Sequence, residues 1–439
     1  MDLQTRMAHY HVPAVSIAVI DRERIVWSRA WGQAAPGRPA TTRTLFQAAS
    51  LSKPVFAAAA LQLVHWGQLD LDKPVNEFLR SWRVPDSEMA PGSAVTLRRL
   101  LSHSAGLSTS GFPGYAANAR RPSLRQLLDA TAPTNSDPVR ITAMPGERWR
   151  YSGGGTSIAQ LAVEEVTGRP LADWMRKTIL RQAGMTRSTY AQPLPGAAAR
   201  FAAHAHDGTG AAIEGRWHIY PEQAAAGLWT TPSDYAGFIL WVMKGLSGEG
   251  ARAEQRFVAS NLVEAQPNIL PGPGERMGLG LFLRGEGPAA SFSHGGSNKG
   301  FRSYMIAFPG SGQGAVVMVN GDAGGALLQE VLRALALEYR WPDKMHEMIV
   351  PRHLTRAQLA PFTGRWRWGE AENQQVVVTL SEVALVGQRP GDPQIRLVPI
   401  DADTFISIDT GSRFRFKGET LTIQPLNRDP IQARRVQSQ

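Results

Sequence analysis

The sequence predicts an α+β protein followed by a small all-β domain, and three observations carry that expectation. β-rich runs lie near the N-terminus and return after residue 290; an Ala/Leu-rich helical middle separates them; and from residue 345 the chain turns to short β runs broken by Gly, Asp and Pro. With 439 residues the chain exceeds the ~250–300 at which one core stops growing, so more than one domain is expected. We place the boundary so that 1–344 form the larger domain and 345–439 the all-β one.

Taken in order, residues 14–20 (AVSIAVI) and 25–31 (IVWSRAW) are β runs joined by a charged turn, which reads as an antiparallel hairpin. Residues 53–66 are helical and stop at Gly67; residues 161–166 lie in a second helical segment closed by Gly168 and Pro170. Thr231, Pro232 and Asp234 supply a cap, a first-turn proline and an acidic residue ahead of the apolar run 235–243. Gly/Pro-rich loops occupy 104–122 and 268–274. Strands 301–308 and 315–320 flank a Pro-Gly-Ser-Gly turn, and an amphipathic helix follows over 325–340. The sheet is therefore expected to be assembled from both ends of the larger domain. In the last domain 356–362 suits one helical turn and 374–423 a series of strands.

Composition narrows the function. The 47 Lys+Arg against 37 Asp+Glu leave a net charge of +10, but the basic residues are scattered and no nucleic-acid motif accompanies them, so no nucleic-acid partner is expected. The absence of Cys removes thiolate metal sites, iron–sulfur clusters and Cys nucleophiles. The longest apolar runs, 12–20 and 55–64, fall short of the ~18 residues of a membrane span. The first residues carry no apolar core of a leader, so the protein is expected in the cytoplasm as given, and in the periplasm or outside if a leader was trimmed.

The chain has no G-x-S-x-G, H-E-x-x-H, G-x-x-x-x-G-K-[ST] or G-x-G-x-x-G motif. It does have Ser50-Leu51-Ser52-Lys53, followed at once by Pro54 and an Ala/Leu-rich helix. Proline is tolerated in a first helical turn, so Ser50 and Lys53 belong at a helix N-terminus, three apart and facing the same way. Burial and the positive helix end both disfavour an ammonium, which pushes Lys53 toward a free amine able to take a proton from Ser50. Two further segments stand out: Tyr151 just before the run Gly153-Gly154-Gly155, expected to open a helix near Thr156, and His294-Gly295-Gly296-Ser297 ahead of the later hairpin. Each alone suits a packed tyrosine and a turn histidine.

Together, S-x-x-K, then Y-S-x, then H-G-G, in that order, resemble the serine β-lactamase and penicillin-binding-protein superfamily, and within it the class C branch with its family VIII esterase and D-aminopeptidase relatives. The segments LRRLLSHSAGL, YPEQAAAGLWTTPSDYAGF and HGGSNKGFRS resemble the same group, over about residues 8–342. The resemblance implies a β-lactamase/transpeptidase-like antiparallel sheet flanked by helices, with a helical lobe. It implies Ser50 as acyl-forming nucleophile, Lys53 and Tyr151 as general bases, His294 in the slot where many relatives carry the Lys of K-T-G, and the backbone N–H groups of Ser50 and Ser297 as oxyanion hole. Gly153, Gly295 and Gly296 would line the substrate site. Trp217 and Tyr220, with His218, suit either a substrate rim or loop packing. The last domain resembles the lipocalin-like or small-barrel extensions of some members, which implies a barrel-like fold; its Phe362, Trp366 and Trp368 suit its own core better than a cover over the site.

Two departures bear on substrate. Gly153 replaces the usual Asn two residues after the Tyr, and His294 replaces a permanently charged Lys. Both favour uncharged esters or amides over β-lactams and peptides. The expected function is a serine hydrolase of small-molecule esters or amides working through an acyl-enzyme at Ser50, without cofactor. A DD-peptidase, D-aminopeptidase, weak β-lactamase or acyltransferase would use the same residues, and a non-catalytic ligand-binding relative would keep the fold. His204 and His206 sit one residue apart without a carboxylate at ligand spacing, so no metal is expected.

Overall fold

The computed structural model describes residues 2–272, 274–342, 351–371, 374–381, 384–390, 394–408, 410–425 and 430–436. The chain divides into two compact units, Met1–Met345 and His346–Gln439.

The first unit is built on an eight-stranded sheet. Its strands are β1 (Ala14–Asp21), β2 (Arg24–Ala35) and β3 (Arg38–Pro39) from the N-terminal end; β4 (Phe46–Gln47) and β5 (Trp229–Thr230) form a separate short pair. From the C-terminal end come β6 (Glu275–Met277), β7 (Phe282–Arg284), β8 (Ser291–Asn298), β9 (Phe301–Phe308) and β10 (Gln313–Val319). The order β3-β2-β1-β10-β9-β8-β7-β6 puts the first long strand against the last, so the sheet is assembled from both ends of the unit. The β1–β2 turn carries positive φ at both Arg22 (50°) and Glu23 (57°), the backbone twist that tight hairpins favour. Strands β6 and β7, in a stretch to which the sequence assigned no element, are three residues each, too short to show a period.

The helices run in order α1 (Leu3–His9), α2 (Ser52–His65), α3 (Leu97–Leu101), α4 (Leu124–Asp129), α5 (Gly153–Thr167), α6 (Leu171–Met175), α7 (Gly196–Ala199), α8 (Gln223–Ala226), α9 (Pro232–Ser247), α10 (Ala253–Val263) and α11 (Gly324–Glu338). Helix α5 begins at Gly153 rather than near Thr156, because the Ser152 hydroxyl accepts from the Gly155 N–H at 2.9 Å and caps it. Helix α9 starts as expected, with Thr231 Oγ1 accepting from the Asp234 N–H at 3.1 Å. Both sheet faces are covered. Val15, Ile17 and Val19 of β1 join Leu327, Leu328 and Leu332 of α11; Ala14, Ala18 and Ile20 face the larger core containing α2 and α9. That explains why β1 reads as a run that is apolar on both faces, with Ser16 its one polar residue before Asp21, instead of an alternating one. Residues Ser52–Leu63 of α2 are buried all round, the property of a helix inside a core.

The second unit opens with α12 (Arg356–Leu359) and a 3₁₀ turn at Ala360–Phe362. Eight strands then close a barrel: β11 (Gly364–Arg367), β12 (Gln375–Leu380), β13 (Leu385–Gln388), β14 (Ile395–Pro399), β15 (Thr404–Ser407), β16 (Arg413–Lys417), β17 (Thr420–Gln424) and β18 (Ile431–Arg435). Closure leaves no open edge among these strands. Trp366 is fully buried among Phe405, Phe414 and Phe416, and Phe362 and Trp368 pack against the same cluster, so the three aromatics belong to the barrel's own core. No helix among the described residues is long and apolar enough to cross a membrane.

Candidate active site

The site is assembled where the N-terminus of α2 meets strand β8 and the start of α5. Ser50 sits in a 3₁₀ turn, Ala49–Leu51, that runs directly into α2. Ala49 before it is held at φ 52°, a left-handed conformation that costs a non-glycine residue about 1–2 kcal/mol. Surrounding groups hold the turn there: Tyr190 and Tyr235 donate to the carbonyls of Ser52 (2.6 Å) and Leu51 (2.9 Å), and Ser303 Oγ donates to the Ala48 carbonyl at 2.7 Å.

Lys53, one turn on, is 4% exposed. Its Nζ lies 3.0 Å from Ser50 Oγ and donates to the Ala225 carbonyl of α8 at 2.8 Å. Burial lowers its pKa from the usual lysine range to about 7. Lys53 Nζ also stands 4.9 Å from the centre of the Tyr151 ring. Burial raises the Tyr151 phenol well above its ordinary range, against a hydrogen bond with the Ser50 hydroxyl that favours ionisation. Ser50, Lys53 and Tyr151, separated by 101 positions at their extremes, thus form one contiguous cluster.

His294 lies on β8 and is 2% exposed, with its ring centre 6.2 Å from that of Tyr151. Its Nδ1 lies 2.7 Å from the Gly295 carbonyl, so Nδ1 carries a proton and donates to it. Burial first, then the charge of Lys53, pushes its pKa down to about 3, against the Gly295 hydrogen bond. Strand β8 is flanked by β7 only as far as Ser293; from His294 to Asn298 it keeps β9 alone. The other edge of Gly295, Gly296 and Ser297 therefore faces away from the sheet ladder and toward the turn carrying Ser50. Gly296 is required there by contact, since a Cβ would fall 2.3 Å from the Ala48 carbonyl oxygen. Gly153, the first residue of α5, has its N–H bonded to the Ser110 carbonyl at 3.1 Å, and a Cβ there would meet Phe112 at 3.0 Å.

Trp217 (6% exposed) and Tyr220 (1%) are both buried. Trp217 stands edge-on to Trp229 at 5.0 Å, and the Tyr220 hydroxyl accepts the Lys299 N–H at 2.9 Å. Both make packing contacts, Trp217 within the larger core, and burial alone does not separate them from the site, since Lys53 and His294 are buried as deeply. His218 Nδ1 lies 3.0 Å from the Pro113 carbonyl. His206 bonds the Asn320 carbonyl, and no group of three potential ligands that could hold a metal ion occurs among the described residues.

Sequence reasoning missed several residues at this site. His103 is buried and its ring centre is 4.2 Å from that of Tyr151. Trp149 and Phe282 extend the aromatic wall, at 6.1 Å from Tyr151 and 5.2 Å from His294 respectively. Glu222, just before the helix α8 whose Ala225 carbonyl holds Lys53, is fully buried with no hydrogen-bond partner for either carboxyl oxygen among the described residues, and burial raises its pKa to about 8. His103 and Glu222 had a signal, their places in the LRRLLSHSAGL and YPEQAAAGLWTTPSDYAGF segments.

The profile of the Beta-lactamase family matches residues 2–339. The chain belongs to that family. Among the relatives of this family member, esterase EstB of Burkholderia gladioli is 29% identical over 292 residues, covering 62% of this chain and 72% of that protein. Penicillin-binding protein 4 of Amycolatopsis lactamdurans is 27% identical over 368 residues, covering 80% and 93%. The octameric penicillin-binding protein homologue from Pyrococcus abyssi superposes with a TM-score of 0.65 at 21% identity, covering 99% of this chain and all of that one, which establishes the shared fold. This β-lactamase-family chain is thus a β-lactamase-fold hydrolase.

Proposed function

We propose that the protein cleaves carboxylic esters of uncharged small molecules through an acyl-enzyme on Ser50. The observation that carries this reading is the 3.0 Å approach of a buried Lys53 amine, with a pKa of about 7, to the Ser50 hydroxyl. In the first step Lys53, assisted by Tyr151, takes the Ser50 proton while Oγ bonds the ester carbonyl carbon. The N–H groups of Ser50 and Ser297 hold the resulting oxyanion. The carbon–oxygen bond to the leaving alcohol breaks, and the proton passes from Lys53 to that oxygen. Water then attacks the acyl carbon as Lys53 takes its proton, the Oγ–carbon bond breaks, and that proton passes from Lys53 to Ser50 Oγ, releasing the carboxylic acid.

The lack of a permanent cation at positions 153 and 294 supports uncharged substrates. His294, with a pKa near 3, offers no cation to a substrate carboxylate at neutral pH, and Gly153 offers no amide. The penicillin-binding relative supports a second reading, in which the same residues act on β-lactams or peptides. Initial rates on p-nitrophenyl butyrate and nitrocefin, for wild type and Ser50→Ala, separate the two. Ester turnover lost in the mutant with little on nitrocefin is expected; nitrocefin turnover in the absence of ester turnover overturns the ester reading.

A further inference from the structure

One buried residue outside the expected set grips three consecutive residues of the tyrosine segment. The His103 carbonyl accepts the Arg150 N–H at 2.7 Å, its ring lies 4.2 Å from that of Tyr151 at 34°, and its Nδ1 accepts the Ser152 N–H at 3.2 Å. His103 does this from φ 56°, a left-handed conformation sparsely populated by residues with a Cβ. Because Nδ1 is an acceptor, the imidazole proton is on Nε2, and that atom is buried without a partner among the described residues.

We propose that His103 is a positioning residue for Tyr151: it fixes the phenol against Ser50 and closes the space beside Lys53 to water. The proposal rests on the ester-hydrolase reading. Three features fit it together. The ring must be neutral, since an imidazolium would turn a second N–H toward that of Ser152. Burial and the charges of Lys53 and His294 hold its pKa well below the ordinary histidine range. The groups whose charge bears on this pocket are Lys53 from α2, Tyr151 from the approach to α5 and His294 from β8, and none is a carboxylate. Finally, Ser152 caps α5, so the Ser152 contact ties the phenol's position to a fixed helix end.

Two variants divide the two contacts. His103→Phe keeps a ring against Tyr151 and removes the acceptor for Ser152; His103→Asn keeps an acceptor near the Nδ1 position and removes the ring. Each is expected to lower kcat about tenfold or more with KM within about twofold, as misplacement of a base does. His103→Asn is expected in addition to move the acid limb of kcat/KM upward in pH, because water admitted beside Lys53 restores its ammonium, whereas His103→Phe leaves the limb in place. The rate at which a fluorophosphonate labels Ser50 gives a substrate-independent readout, and labelling stoichiometry gives the folded fraction. Wild-type kcat and labelling rate in both variants overturn the proposal, as does a loss matched by the unlabelled fraction with the limb unmoved in His103→Asn. If wild type labels at Ser50 yet turns over no ester, the ester reading fails; slower labelling of both variants then supports the role of His103, and unchanged labelling overturns it.

Discussion

Gly296 and Ala48 meet backbone against backbone: a Cβ on Gly296 would lie 2.3 Å from the Ala48 carbonyl oxygen, which also accepts the Ser303 hydroxyl at 2.7 Å. The free edge of β8 and the turn bearing Ser50 can approach this closely because position 296 has no side chain. Gly296→Ala is expected to push the two apart and lower kcat about a hundredfold, the scale of losing an oxyanion donor, while thermal denaturation shows a folded protein. Activity within a few-fold of wild type would mean that Ser297 does not face the reacting oxygen.

The pH dependence follows from one group. Lys53 must be unprotonated to take a proton, and its pKa stands at about 7, so kcat/KM on an uncharged ester should rise with pH and reach half its plateau near pH 7. His294 does not contribute, since its pKa is about 3 and it stays neutral across that window. A midpoint near the ordinary lysine value would show that burial does not lower the pKa of the amine, and a profile with no acid limb would take the amine out of the role of base.

Removing the hydroxyl or the phenol tests the remaining roles. Ser50→Ala should remove turnover, by about four orders of magnitude or more, as loss of a covalent nucleophile does. Tyr151→Phe keeps the ring contact with His103 and should lower kcat by about two to three orders of magnitude. Both proteins should melt within a few degrees of wild type. Near-wild-type rates in Tyr151→Phe would take the phenol out of the mechanism.

Glu222 gives a stability prediction. Its folded pKa, about 8, lies above the model-compound value of 4.5, so between those values the unfolded chain has released a proton that the folded chain retains. Stability therefore falls as pH rises from about 4.5 to about 8 and is level beyond. Glu222→Gln, which resembles the protonated acid, should flatten that slope and stabilise the protein at pH 8 by on the order of 3 to 5 kcal/mol. Urea midpoints of the two proteins at pH 5 and pH 8 check it; an equal slope in both would show that the carboxyl is hydrated or paired in solution.

What could be read from the sequence was local. Pro54 placed Ser50 and Lys53 in a first helical turn, Thr231 and Asp234 marked the start of α9, and the β-branched run of β1 was legible as a strand. The β-rich C-terminal stretch showed its strands, while closure into a barrel depends on β18 meeting β11, which no short window contains. His103 escaped notice as a site residue because its three contacts lie 47 to 49 positions away, with residues 150–152. Glu222 escaped because a glutamate in a loop reads as solvated, and only packing reveals that its carboxyl is buried without a partner among the described residues. Trp217 and Tyr220 stayed ambiguous because residue type does not say which way a loop faces.

The pairing of β1 with β10 sets the timing of folding. Val15 meets Val319, so the central ladder cannot close until the chain has been synthesised through its last long strand, and the N-terminal hairpin waits meanwhile with an apolar edge unpaired. Such long-range pairing is slow and exposes template-like strands. Nascent chains stalled or cut between α10 and β10 should therefore be the aggregating species, and holdase chaperones should engage this protein most strongly over that interval of translation.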